Sequence, residues 1–102
     1  MELNKNLLEA CTGFDWDSGN NEKSQSKHDV SRWECGQVFF NEPLLIYSDD
    51  KHSQTEFRYF ALGQTDLRRH LMIVFTICNQ LIRIISARPM SKKERRYYEE
   101  IE

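Results

Sequence analysis

Apolar and polar positions change period several times along the chain. Residues 1–13 are weakly patterned and read as an N-terminal arm. Phe14-Asp15-Trp16 alternates and predicts a short strand. Asp17 and Ser18 then offer N-cap oxygens to a polar helix reaching about His28, although 19–27 carry almost no apolar face. Ser31-Arg32-Trp33-Glu34 has the spacing of a capping box, with Val30 placed to staple onto Cys35. It predicts a second helix that buries Trp33, Cys35, Val38, Phe39 and Phe40 and ends before Pro43. Apolar and β-branched runs at 44–47, 56–62, 71–77 and 81–87 predict four strands. Pro89 stops the last, and a second capping box, Ser91-Lys92-Lys93-Glu94, starts a terminal helix with Tyr97 and Ile101 at i and i+4. The order predicts an α+β fold: an antiparallel sheet with two N-terminal helices and one C-terminal helix, the helices on one side of the sheet.

Asn79-Gln80 separates the last two strands and predicts a two-residue hairpin turn. Cys78 then faces Leu81, Thr76 faces Arg83, Val74 faces Ile85 and Met72 faces Ala87. One face of the hairpin becomes Leu71, Ile73, Phe75, Ile77, Ile82 and Ile84, uniformly apolar and therefore the core face. The other is mixed, with Arg83 in its middle. Alternation alone would turn Arg88 toward the core, a placement that a bend at Pro89 undoes.

Composition narrows the class. A length of 102 residues allows a single domain spanning 1–102. No apolar run approaches the roughly 18 residues of a membrane span, and the N-terminus has no apolar leader, so a cytoplasmic protein is expected. Three widely spaced cysteines, Cys11, Cys35 and Cys78, suggest reduced thiols rather than a disulfide framework. The net charge of -2 hides an asymmetry: 5 Lys/Arg against 11 Asp/Glu in residues 1–57, and 9 against 5 in 58–102. Between Arg58 and Tyr98 the 9 cations meet only Asp66 and Glu94, which suggests an electrostatic footprint for a polyanion.

Several residues could carry chemistry. Lys27-His28 pairs a cation with an acid/base group, at a position where a helix C-terminus also favours cations. Glu56 and Arg58 are two apart on one predicted strand and share a face, fit either for an ion pair or for holding a phosphate. His28, His52 and His70 lack metal-ligand spacing relative to the cysteines, so neither a metal nor a cofactor is expected.

The ordered set Phe14-x-Trp16-Asp17, Lys27-His28-x-Val30, Asp50-x-His52-Ser53-x-x-Glu56-x-Arg58, Arg83-Ile84-Ile85-Ser86-Ala87-Arg88 and Glu94-Arg95-Arg96-x-Tyr98-Glu99 resembles the BrnT family of toxins. The resemblance implies a RelE-like fold and a metal-independent bacterial ribonuclease. It further implies a BrnA-like antitoxin with a ribbon-helix-helix domain, through which the pair reaches operator DNA; with the basic stretch, this places the antitoxin over the basic, mixed face of the sheet or its rim, around Arg58 and Arg83. Without a metal, RNA is cleaved by its own 2′-hydroxyl, so the enzyme must move two protons and hold a charged phosphorane. Arg58, Arg83 and Arg88 are then the candidate RNA-binding cations. Lys27 or Arg95 would add transition-state charge, and His28, Glu56 or Tyr98 would carry protons. Many relatives have Arg where this chain has Cys78, which opens a second reading: a catalytically weakened member acting as a binding module in an operon-regulating complex.

Overall fold

Both helices start where the sequence places a capping box. The computed structural model describes residues 2–3, 5–15, 29–49 and 57–102. In chain order they form β1 (Glu2–Leu3), a 3-10 turn (Lys5–Leu8), β2 (Gly13–Phe14), α1 (Arg32–Phe40), β3 (Leu45–Ser48), β4 (Tyr59–Gln64), β5 (His70–Cys78), β6 (Leu81–Pro89) and α2 (Lys92–Ile101). At α1 the Glu34 amide donates to Ser31 Oγ at 3.2 Å and the Ser31 amide to Glu34 Oε1 at 3.1 Å. At α2 the Glu94 amide donates to Ser91 Oγ at 3.2 Å and the Ser91 amide to Glu94 Oε1 at 2.8 Å. The polar helix expected over 17–28 lies outside the described residues, which hold one helix ahead of the strand meander rather than two.

The six strands form one sheet in the order β1-β3-β4-β5-β6-β2. All neighbours are antiparallel except β2, which runs parallel to β6, so the sheet is mixed where an antiparallel one was expected. The cause is the path of the first residues. They pair at the β3 edge, cross the core with Leu7, Leu8 and Cys11 packed against it, and pair again at the β6 edge. The described residues of the expected arm, 2–3 and 5–13, are therefore paired into the sheet edges or run over the core.

Asn79 and Gln80 make the predicted turn, with φ of 54° and 65°, the left-handed pair that a two-residue hairpin needs. Cys78 faces Leu81 and Thr76 faces Arg83, as expected. Beyond Phe75 a bulge intervenes: Phe75 faces Ile84 but Val74 faces Ser86, leaving Ile85 as the extra residue. Val74 and Met72 therefore meet Ser86 and Arg88, not Ile85 and Ala87. One inserted residue reverses the alternation, so Ala87 is buried in the core and Arg88 joins the opposite face. The bulge, not Pro89, turns Arg88 outward.

The helices lie on opposite faces, not on one side. α1 sends Cys35 and Val38 into a cluster with Ile46, Ala61, Ile73, Phe75 and Ile84. α2 buries Tyr98 against Leu45 and Leu62 on the other face. The central strands are apolar on both faces, so both need cover. Close contact on the α1 side depends on Gly63, where an added Cβ would come within 2.6 Å of Val38 Cγ1. Two expected burials on α1 fail: Trp33 and Phe40 face solvent. α2 buries Tyr98 and leaves Tyr97 and Ile101 exposed. No helix among the described residues is long and apolar enough to cross a membrane.

Candidate active site

The candidate site lies on the sheet face opposite α1, at the turn end of the central hairpin. Thr76 sits there opposite Arg83. Thr76 is buried, and its hydroxyl donates to the Phe57 carbonyl at 2.6 Å, tying the approach to β4 onto β5. The Asp49 amide donates to the Arg58 carbonyl at 2.8 Å, extending the β3–β4 ladder by one residue. Phe60 faces Val74, and the same alternation two residues earlier puts Arg58 beside Thr76. Arg58, Thr76 and Arg83 thus form a row across three neighbouring strands. At the usual strand spacing the Arg58 and Arg83 backbones are roughly 10 Å apart, within reach of one phosphodiester for two such long side chains. The Nε of each arginine is shielded from solvent.

The parallel edge strand completes this row. The Asp15 amide donates to the Ile82 carbonyl at 2.9 Å, which brings the Asp15 carboxylate to 3.8 Å from Arg83 Nε. Sequence reasoning did not single out Asp15. Its only signal was the alternation of Phe14-Asp15-Trp16, which says nothing about the strand that Asp15 lies against. Beside the row, the rings of Tyr47 and Phe60 stack at 5.1 Å with 20° between planes, and the Tyr47 hydroxyl donates to that of Tyr97 at 3.1 Å. Cations next to stacked aromatic rings suit single-stranded nucleic acid. Cys78, opposite Leu81, lies two residues beyond Thr76 on the same face.

The other sequence candidates are placed differently. Arg88 forks onto Glu94, with Nη1 at 2.9 Å from Oε1 and Nη2 at 3.0 Å from Oε2, and Nη1 also donates to the Pro89 carbonyl at 3.0 Å. It braces the start of α2. Arg95 is exposed on α2, 3.7 Å from Glu99 one turn on. Tyr98 is 0% exposed and its hydroxyl donates to the Pro43 carbonyl. Burial, with the Glu102 carboxylate nearby, pushes its phenol up to about 12, and its ring packs with Leu45 and Leu62 in the core. Lys27, His28 and Glu56 lie outside the described residues. The basic stretch is also less of a patch than it reads in sequence. Arg69, Arg88 and Arg95 are ion-paired to Glu34, Glu94 and Glu99, and Arg83 lies against Asp15. Among the described residues no three of His, Cys, Asp and Glu gather as a metal site would require.

Residues 16–94 match the profile of a protein family described as the ribonuclease toxin BrnT of type II toxin–antitoxin systems. The chain belongs to the BrnT family. The matched span includes Arg58, Thr76 and Arg83 and leaves out Asp15 by one residue. A BrnT chain is thus a ribonuclease toxin by family, with a protein antitoxin implied by the type of system. No curated protein matches the chain.

Proposed function

We propose that this chain is a metal-independent endoribonuclease in which Arg58 and Arg83 grip the scissile phosphate. The observation that carries this reading is the Arg58–Thr76–Arg83 row, with Asp15 3.8 Å from Arg83, in a chain of a ribonuclease-toxin family. In the proposed step the RNA 2′-oxygen attacks phosphorus and the bond to the 5′-oxygen breaks. A base takes the 2′-hydroxyl proton and an acid protonates the leaving oxygen, giving a 2′,3′-cyclic phosphate and a 5′-hydroxyl. Arginine suits the clamp because its planar fork binds phosphate oxygens in pairs and stays charged. Asp15 is a positioning residue that orients Arg83. The proton carriers proposed are His28 and Glu56, with Lys27 adding charge, and stacking on the Tyr47–Phe60 pair holds a neighbouring base. Neutralisation falls to a BrnA-like antitoxin with a ribbon-helix-helix domain, which carries the pair to operator DNA, and the setting is the cytoplasm.

The test is cleavage of labelled RNA by the purified chain. Arg58→Ala and Arg83→Ala each slow cleavage by roughly a hundredfold or more, as loss of one oriented charge-stabilising donor does. Products carry cyclic phosphate ends, and EDTA changes nothing. Loss of cleavage in EDTA with recovery on adding a divalent ion, or 3′-hydroxyl products, would overturn the reading. A second reading, a weakened toxin acting as a binding module, is favoured by Cys78. That residue lies on the face of the row, at a position where the family resemblance implies an Arg. If Cys78→Arg turns a slow or silent chain into a fast one and a growth inhibitor, that reading holds for the natural sequence.

A further inference from the structure

α1 buries Cys35 and Val38 but leaves Trp33 79% and Phe40 81% exposed. The two aromatic side chains are seven residues apart, two helical turns, and so share a face. With Phe14 they wall a groove of about 530 Å³ that Gly36 also lines, between them on α1. Packing among the described residues requires neither feature. Glycine weakens a helix interior relative to alanine, and a Cβ at Gly36 would meet nothing within 4 Å. What a bare Cα between two aromatic walls allows is the close approach of another backbone. The lining charges, Arg32 and Asp66, cancel, so the groove does not attract a polyanion. Asp66 is fixed in place: Asn41 Nδ2 donates to its carboxylate at 2.9 Å, and its own amide donates to Gln37 Oε1 at 3.1 Å. Exposed aromatics around a neutral, rigid trough match the centre of a protein–protein interface.

The geometry points to this groove as the docking site of the antitoxin, through an amphipathic helix that lays small residues on Gly36 and apolar ones against Trp33 and Phe40. The inference rests on the toxin–antitoxin reading above. The groove lies on the α1 side of the sheet, away from Arg58 and Arg83, so it replaces the expectation that the partner is held by the basic face. Anchoring and blocking of the RNA site are then tasks for different parts of the antitoxin.

The test measures affinity for a BrnA-like ribbon-helix-helix antitoxin, using the full chain, Trp33→Ala, Gly36→Gln and the double variant Arg58→Gln/Arg83→Gln. Both groove variants weaken binding about 30-fold or more, while the free proteins cleave RNA at the normal rate. Gly36→Gln keeps or raises Tm, because the helix gains a better former, so its lost binding does not come from misfolding. The double variant keeps its affinity. Groove variants that bind like the natural chain would sink the proposal, as would loss of binding in the double variant alone. Two further results also overturn it. One is a lowered Tm in both groove variants, which means the chain fills its own groove. The other is a free chain that is a dimer and that Gly36→Gln dissociates, which assigns the groove to a second copy. If the natural chain binds no such protein, the toxin–antitoxin reading fails with it; if only the groove variants behave normally, this inference fails alone.

Discussion

Arg83 and Arg88 stand five residues apart on one strand with different tasks. Arg83 lies opposite the buried Thr76 with Asp15 at its side, while Arg88 spends its fork on Glu94. Nothing in the residue type separates them; their neighbours do. Tyr98 makes the same point. Read in sequence it is a titratable group three residues from Arg95, but packing closes it off from solvent and ties its hydroxyl to the Pro43 carbonyl. Tyr98→Phe is expected to lower stability by about 1 kcal/mol, the net worth of one hydrogen bond, and to leave RNA cleavage unchanged. A hundredfold loss of cleavage at normal Tm would instead return Tyr98 to the proton-transfer chemistry. Cys35 is equally closed: burial first, then the neighbouring Glu34 charge, push its thiol up to about 12.

At the scale of the element, α2 is held by one carboxylate with several partners. Glu94 caps the helix through the Ser91 amide and receives the Arg88 fork. Burial pulls its pKa up, but the Arg88 hydrogen bonds and charge and the Ser91 bonds outweigh burial and hold it below the ordinary 4.5. Glu34 repeats the device at α1: burial is opposed by the Ser31 amide and by Arg69, and its pKa is also lowered. A lowered folded pKa means the stabilisation is complete above the unfolded value and is lost as pH falls through the folded one. Tm is therefore expected to fall as pH drops below about 4.5, and Glu94→Gln to flatten that fall while lowering Tm at neutral pH. Equal acid slopes for the variant and the natural chain, followed by calorimetry, would show that the clamp is not what titrates. Both capping boxes were legible in the sequence because a cap is a contact over three residues. The face each helix buries was not, since Trp33 and Phe40 are as apolar as Val38.

For the whole molecule, the spacing of layers is the sensitive quantity. α1 rests on β4 at Gly63, and Val38 Cγ1 occupies the space that a side chain would need. Gly63→Ala is expected to cost about 1–3 kcal/mol, the usual penalty for overpacking a core. Combining it with Val38→Ala should cost less than the two single losses added together, because the shortened side chain at 38 vacates the space that the new methyl at 63 needs. Strictly additive losses in denaturant unfolding would mean the two positions do not share that space. Layering also separates the two surfaces of the molecule. The sheet stands between the arginine row and the aromatic groove on α1, so each can be altered without touching the other.

By itself, the sequence determined what local chemistry can determine. The capping boxes at Ser31 and Ser91, the turn at Asn79-Gln80, the apolar strands and the first pairs of the hairpin register all rest on contacts within a few residues. The pairing of Thr76 with Arg83 followed from the turn alone. Only the tertiary structure decided the rest. The bulge at Ile85 turned Arg88 to the other face, because one extra residue reverses every later side chain. The parallel edge strand brought Asp15 from near the start of the chain to Arg83, and two-sided burial of the central strands sent α1 and α2 to opposite faces. These outcomes come from which surfaces meet when the layers close, and no periodicity along the chain records that.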